Sequence, residues 1–357
     1  MKKTIAIGAA VLLLLSATAI VLMQNQGPEG DTVVVKDMLG ETVEVKKNPK
    51  VVCLSRTSYD PLVAFGLSDY IDGAYKTIFE NDWVYEMEPN AKDIGVYDYT
   101  ESPEIFIEHG VDLVLAPEHH DDVASNLRTH GIVTLVVWPY GNPSFEPYLY
   151  YMADLAKQLW PDVEGVAEKA DQWKKELSDT IDEIKKTIED NDLTSGRLYY
   201  ARGEKSRSMN YTDIGGSFLD YAYKMMGADY ISAKYEYNKP STEQLIADDP
   251  EIIILGSYQQ HALRDTLDNV AVWSNVSAVK SGRIYSIPIG FSPMEYTSGF
   301  TKVFLCDLAN KLYPGYFDYD IKSMIRETCS YYYGYQITDE KIQYMIDGLG
   351  PDGKVMS

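Results

Sequence analysis

Cysteine is scarce in this chain: three in 357 residues, at positions 53, 306 and 329, with no CxxC pair. That excludes a disulfide framework and a cysteine-rich metal centre, leaving a pairing of Cys306 with Cys329 or separate thiols as the open alternatives. Positive charge is also in deficit, with 32 Lys and Arg against 54 Asp and Glu, for a formal charge of −22. A surface of that sign repels phosphate backbones, so no nucleic-acid partner is expected. No GxSxG or HExxH occurs, so the usual signatures of serine hydrolysis and zinc proteolysis are missing, and no lysine follows Gly215-Gly216-Ser217 as in a P-loop. Gly215-Gly216-Ser217 ahead of a helix is explained by packing at a helix entry.

What is present is globular, and at 45% hydrophobic over 357 residues it is too long for one small core. Lys2 and Lys3 precede an uncharged run over residues 5–23, which reads as an export signal or a membrane anchor. Ala17-Thr18-Ala19 offers a cleavage site, but the greasy Ile20-Val21-Leu22-Met23 after it favours retention. The rest is therefore expected outside the cytoplasm, tethered to the outer face of the cell membrane if the segment is kept. No cysteine ends the run, so a lipid anchor there is excluded.

Beyond a linker at Gly27-Pro28-Glu29-Gly30, short bounded apolar runs alternate with helical stretches. Residues 33–35 and 42–45 predict a hairpin. Residues 51–54, 111–115 and 132–137 predict buried parallel strands of one α/β lobe, and 198–201, 252–255 and 284–287 those of a second. Between them, apolar residues at Val163, Val166, Ala170, Trp173, Leu177, Ile181, Ile184 and Ile188 step by three or four. That stripe predicts one long amphipathic helix able to cross the backs of both lobes. The expected division is 1–30 for the signal or anchor with its linker and 31–160 for the first lobe. The linking helix takes 161–194, and the second lobe with its terminal helices takes 195–357.

An internal echo links the lobes. Ser102-Pro103-Glu104-Ile105-Phe106-Ile107 and the strand after it align, at an offset of 139, with Ser241-Thr242-Glu243-Gln244-Leu245-Ile246 and its strand. Each copy predicts a Ser N-cap, a Glu in the first turn, a short helix and a buried strand. The Glu can compensate the helix dipole, or serve as one of a pair of acidic docking points.

The order of these pieces carries a resemblance. It runs from the hairpin through Asn48-Pro49-Lys50-Val51-Val52-Cys53-Leu54-Ser55 and Ser102-Pro103-Glu104 to the long helix and Gly215-Gly216-Ser217-Phe218. Ser241-Thr242-Glu243-Gln244-Leu245 and Val279-Lys280-Ser281-Gly282-Arg283-Ile284-Tyr285-Ser286-Ile287-Pro288 follow. The chain resembles the class III, helical-backbone substrate-binding proteins of ABC importers for iron siderophores, haem and vitamin B12, over nearly all of its exported part. The tail, Leu308-Ala309-Asn310-Lys311-Leu312-Tyr313-Pro314 and then Tyr332-Tyr333-Gly334-Tyr335-Gln336-Ile337-Thr338-Asp339-Glu340, is similar to an iron-compound-binding branch. The resemblance implies an α/β fold of two Rossmann-like lobes joined by one long rigid helix, with the ligand in the cleft between them. It also implies that Glu104 and Glu243 pair with Arg residues of the permease.

Ligands of such sheets sit at the carboxyl ends of the parallel strands. The loops there supply the candidate cleft residues Arg56, Tyr59, His119, His120, Trp138 and Tyr140 in the first lobe. Tyr97 and Tyr99 join them, at the stretch where relatives place an aromatic cleft residue. The second lobe contributes Arg202, Arg207, Tyr258, His261, Phe291 and Tyr296. Tyr and Trp can stack on a planar or catecholate ligand, and Arg56, Arg202 and Arg207 can pair with its oxygens. No protein-bound metal is expected. Adjacent His119 and His120 diverge in an extended loop and seldom share one ion, so with His261 and a carboxylate they are weak candidates, and an axial bond to a haem or corrinoid, or a hydrogen bond to a siderophore, fits one His better.

The expected protein is thus a monomeric binding protein and not an enzyme. It captures a small-molecule metal chelate (an iron-siderophore, a corrinoid or haem) and delivers it to an ABC permease, with no cofactor of its own. A membrane-tethered sensor, or a chelatase-like enzyme on the same scaffold, is the alternative.

Overall fold

Runs of Val, Ile and Leu too short for a helix and bounded by turn residues form the strands. In the computed structural model, residues 30–117, 121–138, 144–203 and 208–356 are described. The anchor reading of residues 1–30 lies almost wholly outside them. Among the described residues no helix is long and apolar enough to cross a membrane.

The first lobe opens with an antiparallel hairpin, β1 (Thr32–Lys36) and β2 (Thr42–Lys46), which pairs Val33 with Val45. It continues through β3 (Val51–Cys53), α1 (Arg56–Ala64), β4 (Ile71–Tyr75), α2 (Asp82–Met87) and β5 (Gly95–Tyr97). Then come α3 (Pro103–Glu108), β6 (Leu113–Pro117), α4 (Asp121–Thr129), β7 (Thr134–Trp138) and α5 (Tyr151–Leu159). The long helix is α6 (Val166–Asp190). The second lobe holds β8 (Gly196–Ala201), α7 (Phe218–Met225), β9 (Ala228–Tyr230), α8 (Thr242–Asp248), β10 (Ile252–Leu255), α9 (Gln260–Asn269), α10 (Ser277–Ser281) and β11 (Ile284–Ser286). Helices α11 (Thr301–Leu312), α12 (Ile321–Tyr333) and α13 (Asp339–Ile346) end the chain.

Both main sheets are parallel, in the orders β5-β4-β3-β6-β7 and β11-β10-β8-β9. Each lobe starts on an interior strand, builds outward on one side, then crosses to the other. The order therefore reverses between β3 and β6 and between β8 and β10, and such reversals open a crevice at the carboxyl ends of the strands. The echoed segments sit at equivalent places: α3 leads into β6, and α8 into β10. Ser241 caps α8 by accepting from the Gln244 N–H at 3.1 Å. Ser102 makes no such bond, because Pro103 and Glu104 follow it and its hydroxyl turns to the Glu104 carboxylate.

Strand β7 is an edge, and the hairpin turn covers it. Met38 N–H donates to Val136 O at 3.0 Å. Asp37, 4% exposed, accepts from the N–H groups of Leu39 and Glu41 at 2.9 Å and of Val136 at 3.3 Å. It also pairs with Arg128 at 2.7 Å. Asp37→Ala takes one carboxylate from Arg128, which keeps Glu41 and Thr134 O, and leaves the Leu39, Glu41 and Val136 N–H groups without this acceptor. It is expected to cost about 3 kcal/mol in urea unfolding, and a loss under about 1 kcal/mol would contradict this role.

Helix α6 buries Val166, Ala170, Trp173, Leu177, Ile181, Ile184 and Ile188 on one face. Its 25 residues extend about 37 Å. On the first lobe it lies along α5, with Trp173 edge-on to Phe65 at 5.9 Å. Toward the second it lies on α11, where Lys302 pairs with Glu176 at 2.8 Å, and Trp173 Nε1 donates to Ser298 O at 3.1 Å. Its chain then enters β8 through Ser195, whose N–H donates to Gly227 O at 3.4 Å. One apolar core runs without a break from Val51 through Trp173 and Phe304 to Ile252.

The segment after β11 and the terminal helices with the turn after them add further ties to the first lobe. Asp60 in α1 accepts from Tyr333 OH and from Gly299 N–H at 3.0 Å. Asn81 Nδ2 donates to Gly290 O at 2.9 Å, Trp83 Nε1 to Leu349 O at 2.8 Å, and Tyr335 OH to Glu86 at 2.6 Å. Cys306 and Cys329 are separate buried thiols, both pushed up to about 12 by burial.

Candidate functional site

The two strand-order reversals face each other, and the residues at the strand ends meet across them. Arg56 starts α1 directly after β3, and Arg202 follows β8. The Arg56 guanidinium lies 5.3 Å from the centre of the Tyr258 ring, which belongs to the turn after β10. This cation–π contact joins the lobes. Arg56 Nη2 donates to Thr77 O, while Nη1 is buried with no hydrogen-bond partner among the described residues. Trp138, at the end of β7, lies 6.4 Å from the Tyr296 ring of the second lobe. Arg202 reaches Asp213 at 3.2 Å and the Tyr296 hydroxyl at 3.3 Å. Tyr99 stacks on Tyr75 at 4.0 Å and donates to Leu54 O at 3.0 Å, which holds a second aromatic pair beside Arg56.

Several expected cleft residues lie elsewhere. Tyr59 and Phe291 are 2% and 0% exposed and stack on each other at 5.7 Å, so they seal the junction of the lobes instead of lining a cleft. Tyr97 is buried in the first lobe against Phe106, with its hydroxyl 2.7 Å from His109 Nδ1. Its ring lies over Gly73, where a Cβ would meet the Tyr97 ring at 2.2 Å, so the glycine in β4 makes room for it. His261 Nε2 is taken up by the Asp347 carbonyl at 2.9 Å. Arg207, His119, His120 and Tyr140 lie outside the described residues. Among the described residues no group of three His, Cys, Asp or Glu is placed to hold a metal ion. The N-terminus of α7 is closed by its own Asp220, which accepts from Gly216 N–H at 2.9 Å.

Two acids that sequence reasoning passed over lie at the centre of the molecule. Glu295, 4% exposed, accepts on Oε1 from Tyr200 OH at 3.1 Å and from Ser257 N–H. Burial pushes its carboxyl up to about 7 in spite of those bonds. Burial likewise raises Asp60 to about 6. Glu104 and Glu243 are exposed in the first turns of α3 and α8. The Glu104 N–H and the Ser102 hydroxyl hold the Glu104 carboxyl below the usual range, so it is ionised at neutral pH.

Residues 112–289 match the sequence model of the periplasmic binding protein family. That segment of the chain belongs to the family. The two-lobed α/β fold with its long helix is also that of solved binding proteins. A periplasmic solute-binding protein from Veillonella parvula matches with a TM-score of 0.65 at 21% identity, covering 88% of this chain and 96% of that one. The molybdate-binding protein MolA of Haemophilus influenzae matches with a TM-score of 0.71 at 15% identity, covering 86% and 99%. Among curated proteins, the Fe(3+)-citrate-binding protein YfmC of Bacillus subtilis is 24% identical over 176 residues, 49% of this chain. The chain spans about half the length of that relative, 52%. The family is one of periplasmic binding proteins, which implies a place outside the cytoplasm.

Proposed function

We propose that this protein is the substrate-binding component of an ABC importer and that its ligand is an anionic ferric chelate, with ferric citrate the first candidate. The observation that carries this reading is the convergence of Arg56 and Arg202, one from each lobe, on an aromatic lining of Tyr99, Trp138, Tyr258 and Tyr296. In a chain of net charge −22 two guanidiniums come together here, Arg202 already paired with Asp213. A buried guanidinium edge with no partner suits an oxyanion. The ferric citrate relative supports the same ligand class.

Mechanistically, Arg56 and Arg202 would bind the chelate's carboxylate oxygens while the rings exclude water. The shared core and helix α6 restrict closure to a small angle. A thermal-shift screen against ferric citrate, hydroxamate and catecholate siderophores, haem and cobalamin tests the reading. A ligand present at 100 times its Kd stabilises the protein by about 2.7 kcal/mol. Stabilisation by a ferric chelate is expected; stabilisation by cobalamin alone, or by nothing in the panel, would refute it.

Glu104 and Glu243, exposed at matching places on the two lobes, are the proposed permease contacts. Glu104→Ala combined with Glu243→Ala is expected to abolish cellular uptake and leave chelate affinity in solution unchanged. An equal fall in affinity would remove the docking role.

A further inference from the structure

Glu295 lies in the segment between β11 and α11, at the carboxyl end of the second sheet. Its Oε1 is doubly bonded, by Tyr200 OH from β8 and by the N–H of Ser257 after β10. Its Oε2 is buried and has no hydrogen-bond partner among the described residues. The backbone is shaped to make this arrangement. Ser257 takes a left-handed φ of 58°, a conformation that costs a non-glycine residue energy and tends to persist at functional sites. Gly256 has no room for a side chain, since a Cβ there would lie 2.6 Å from the Tyr200 hydroxyl and 2.8 Å from Glu295 Oε1. Two further buried polar atoms close to this corner, Tyr258 OH and Arg56 Nη1, also lack partners among the described residues.

The groups facing Glu295 are Tyr200, Asp213, Tyr223, Tyr258 and Tyr296. Of these only Asp213 is a carboxylate, and it is already paired with Arg202. Arg202 and Asp213 therefore nearly cancel, and Arg56 supplies the positive charge. Asp60 lies near Arg56 and Glu80 near Tyr258, and Glu295 adds one more negative charge to this corner when it loses its proton.

We propose that Glu295 contacts the ligand through its proton: the neutral carboxyl donates from Oε2 to an oxygen of the bound anion, so capture is linked to proton binding. The inference rests on the reading of this cleft as an anionic-chelate site. No covalent bond changes; one proton stays on Oε2 and is shared with the ligand oxygen. Burial that places the carboxyl near pH 7 puts the change in the physiological range. The sign follows directly: below that pH the donor is in place, and above it an anion faces the incoming anion.

The test is equilibrium titration with ferric citrate of the wild type and of Glu295→Gln, between pH 5.5 and 8.5. The amide keeps a donor at every pH. The ratio of the two affinities cancels the ligand's own titration, and it is expected to change about 30-fold in favour of the variant over this range. A constant ratio overturns the proposal. Tyr200→Phe keeps the ring and removes one donor from Oε1, so it should move the wild-type loss of affinity to higher pH. An unmoved profile also overturns the proposal. If the wild type binds no ferric citrate at any pH, the chelate reading itself falls, and this inference with it.

Discussion

Trp173→Ala should lower the unfolding free energy by about 4 kcal/mol, read from urea denaturation of the apo-protein. The indole is 4% exposed in the N-terminal third of α6, edge-on to Phe65 and Tyr150, and its N–H is bonded to Ser298 O. Truncation removes aromatic volume from the core shared by both lobes and leaves the Ser298 carbonyl without this donor. Lys175→Ala on the same helix, where the side chain is 71% exposed and pairs with Asp179, should cost less than about 0.5 kcal/mol. Equal losses for the two would mean that α6 is held by its own helical propensity and not by its place between the lobes.

The second large effect is on binding. Arg56→Ala should weaken ferric citrate binding by at least about 30-fold, since a desolvated charge partner is worth 2 kcal/mol or more. Stability should change little by comparison, because the guanidinium's internal contacts are one bond to Thr77 O and the face of Tyr258. Arg56→Lys should recover only part of the affinity. An ammonium cannot present two parallel donors to a carboxylate or lie flat on a ring. The comparison is by calorimetric titration, and an unchanged Kd for Arg56→Ala would take the cleft out of ligand recognition.

Much of the architecture was legible because the forces that build it leave periodic traces. The apolar stripe of α6 and the runs of β3, β6, β7 and β10 are read directly, as they are buried on both faces. Strands β4, β5 and β9 were not foreseen. Their sequences IDGAY, GVY and ADY are short and interrupted by Gly or Asp, and the glycines are there to admit the Tyr97 ring. Tyrosine was the least informative residue type. Tyr59, Tyr97, Tyr199, Tyr200, Tyr223 and Tyr230 are buried, while Tyr99, Tyr258 and Tyr296 reach the cleft, and a sequence does not distinguish them.

Glu295 was hidden for a different reason. A single acid in a loop resembles any solvated carboxylate, and its environment exists only when β8, the turn after β10 and the segment after β11 come together. Asp60 is similar: Tyr333 and Gly299, its partners, lie over 230 positions away. The segment after β11 and the terminal helices read as part of the second lobe, since nothing local marks their bonds to Asp60, Asn81, Trp83 and Glu86.

The decisive observation would be the position of the iron itself, located by anomalous diffraction from crystals of the protein with ferric citrate. The peak should lie between the lobes, flanked by Arg56 and Arg202. A groove of about 540 Å³ also opens on the first lobe beside Leu39, Ser125 and Arg128. Iron seated there, or anywhere that touches one lobe alone, would contradict capture in the cleft.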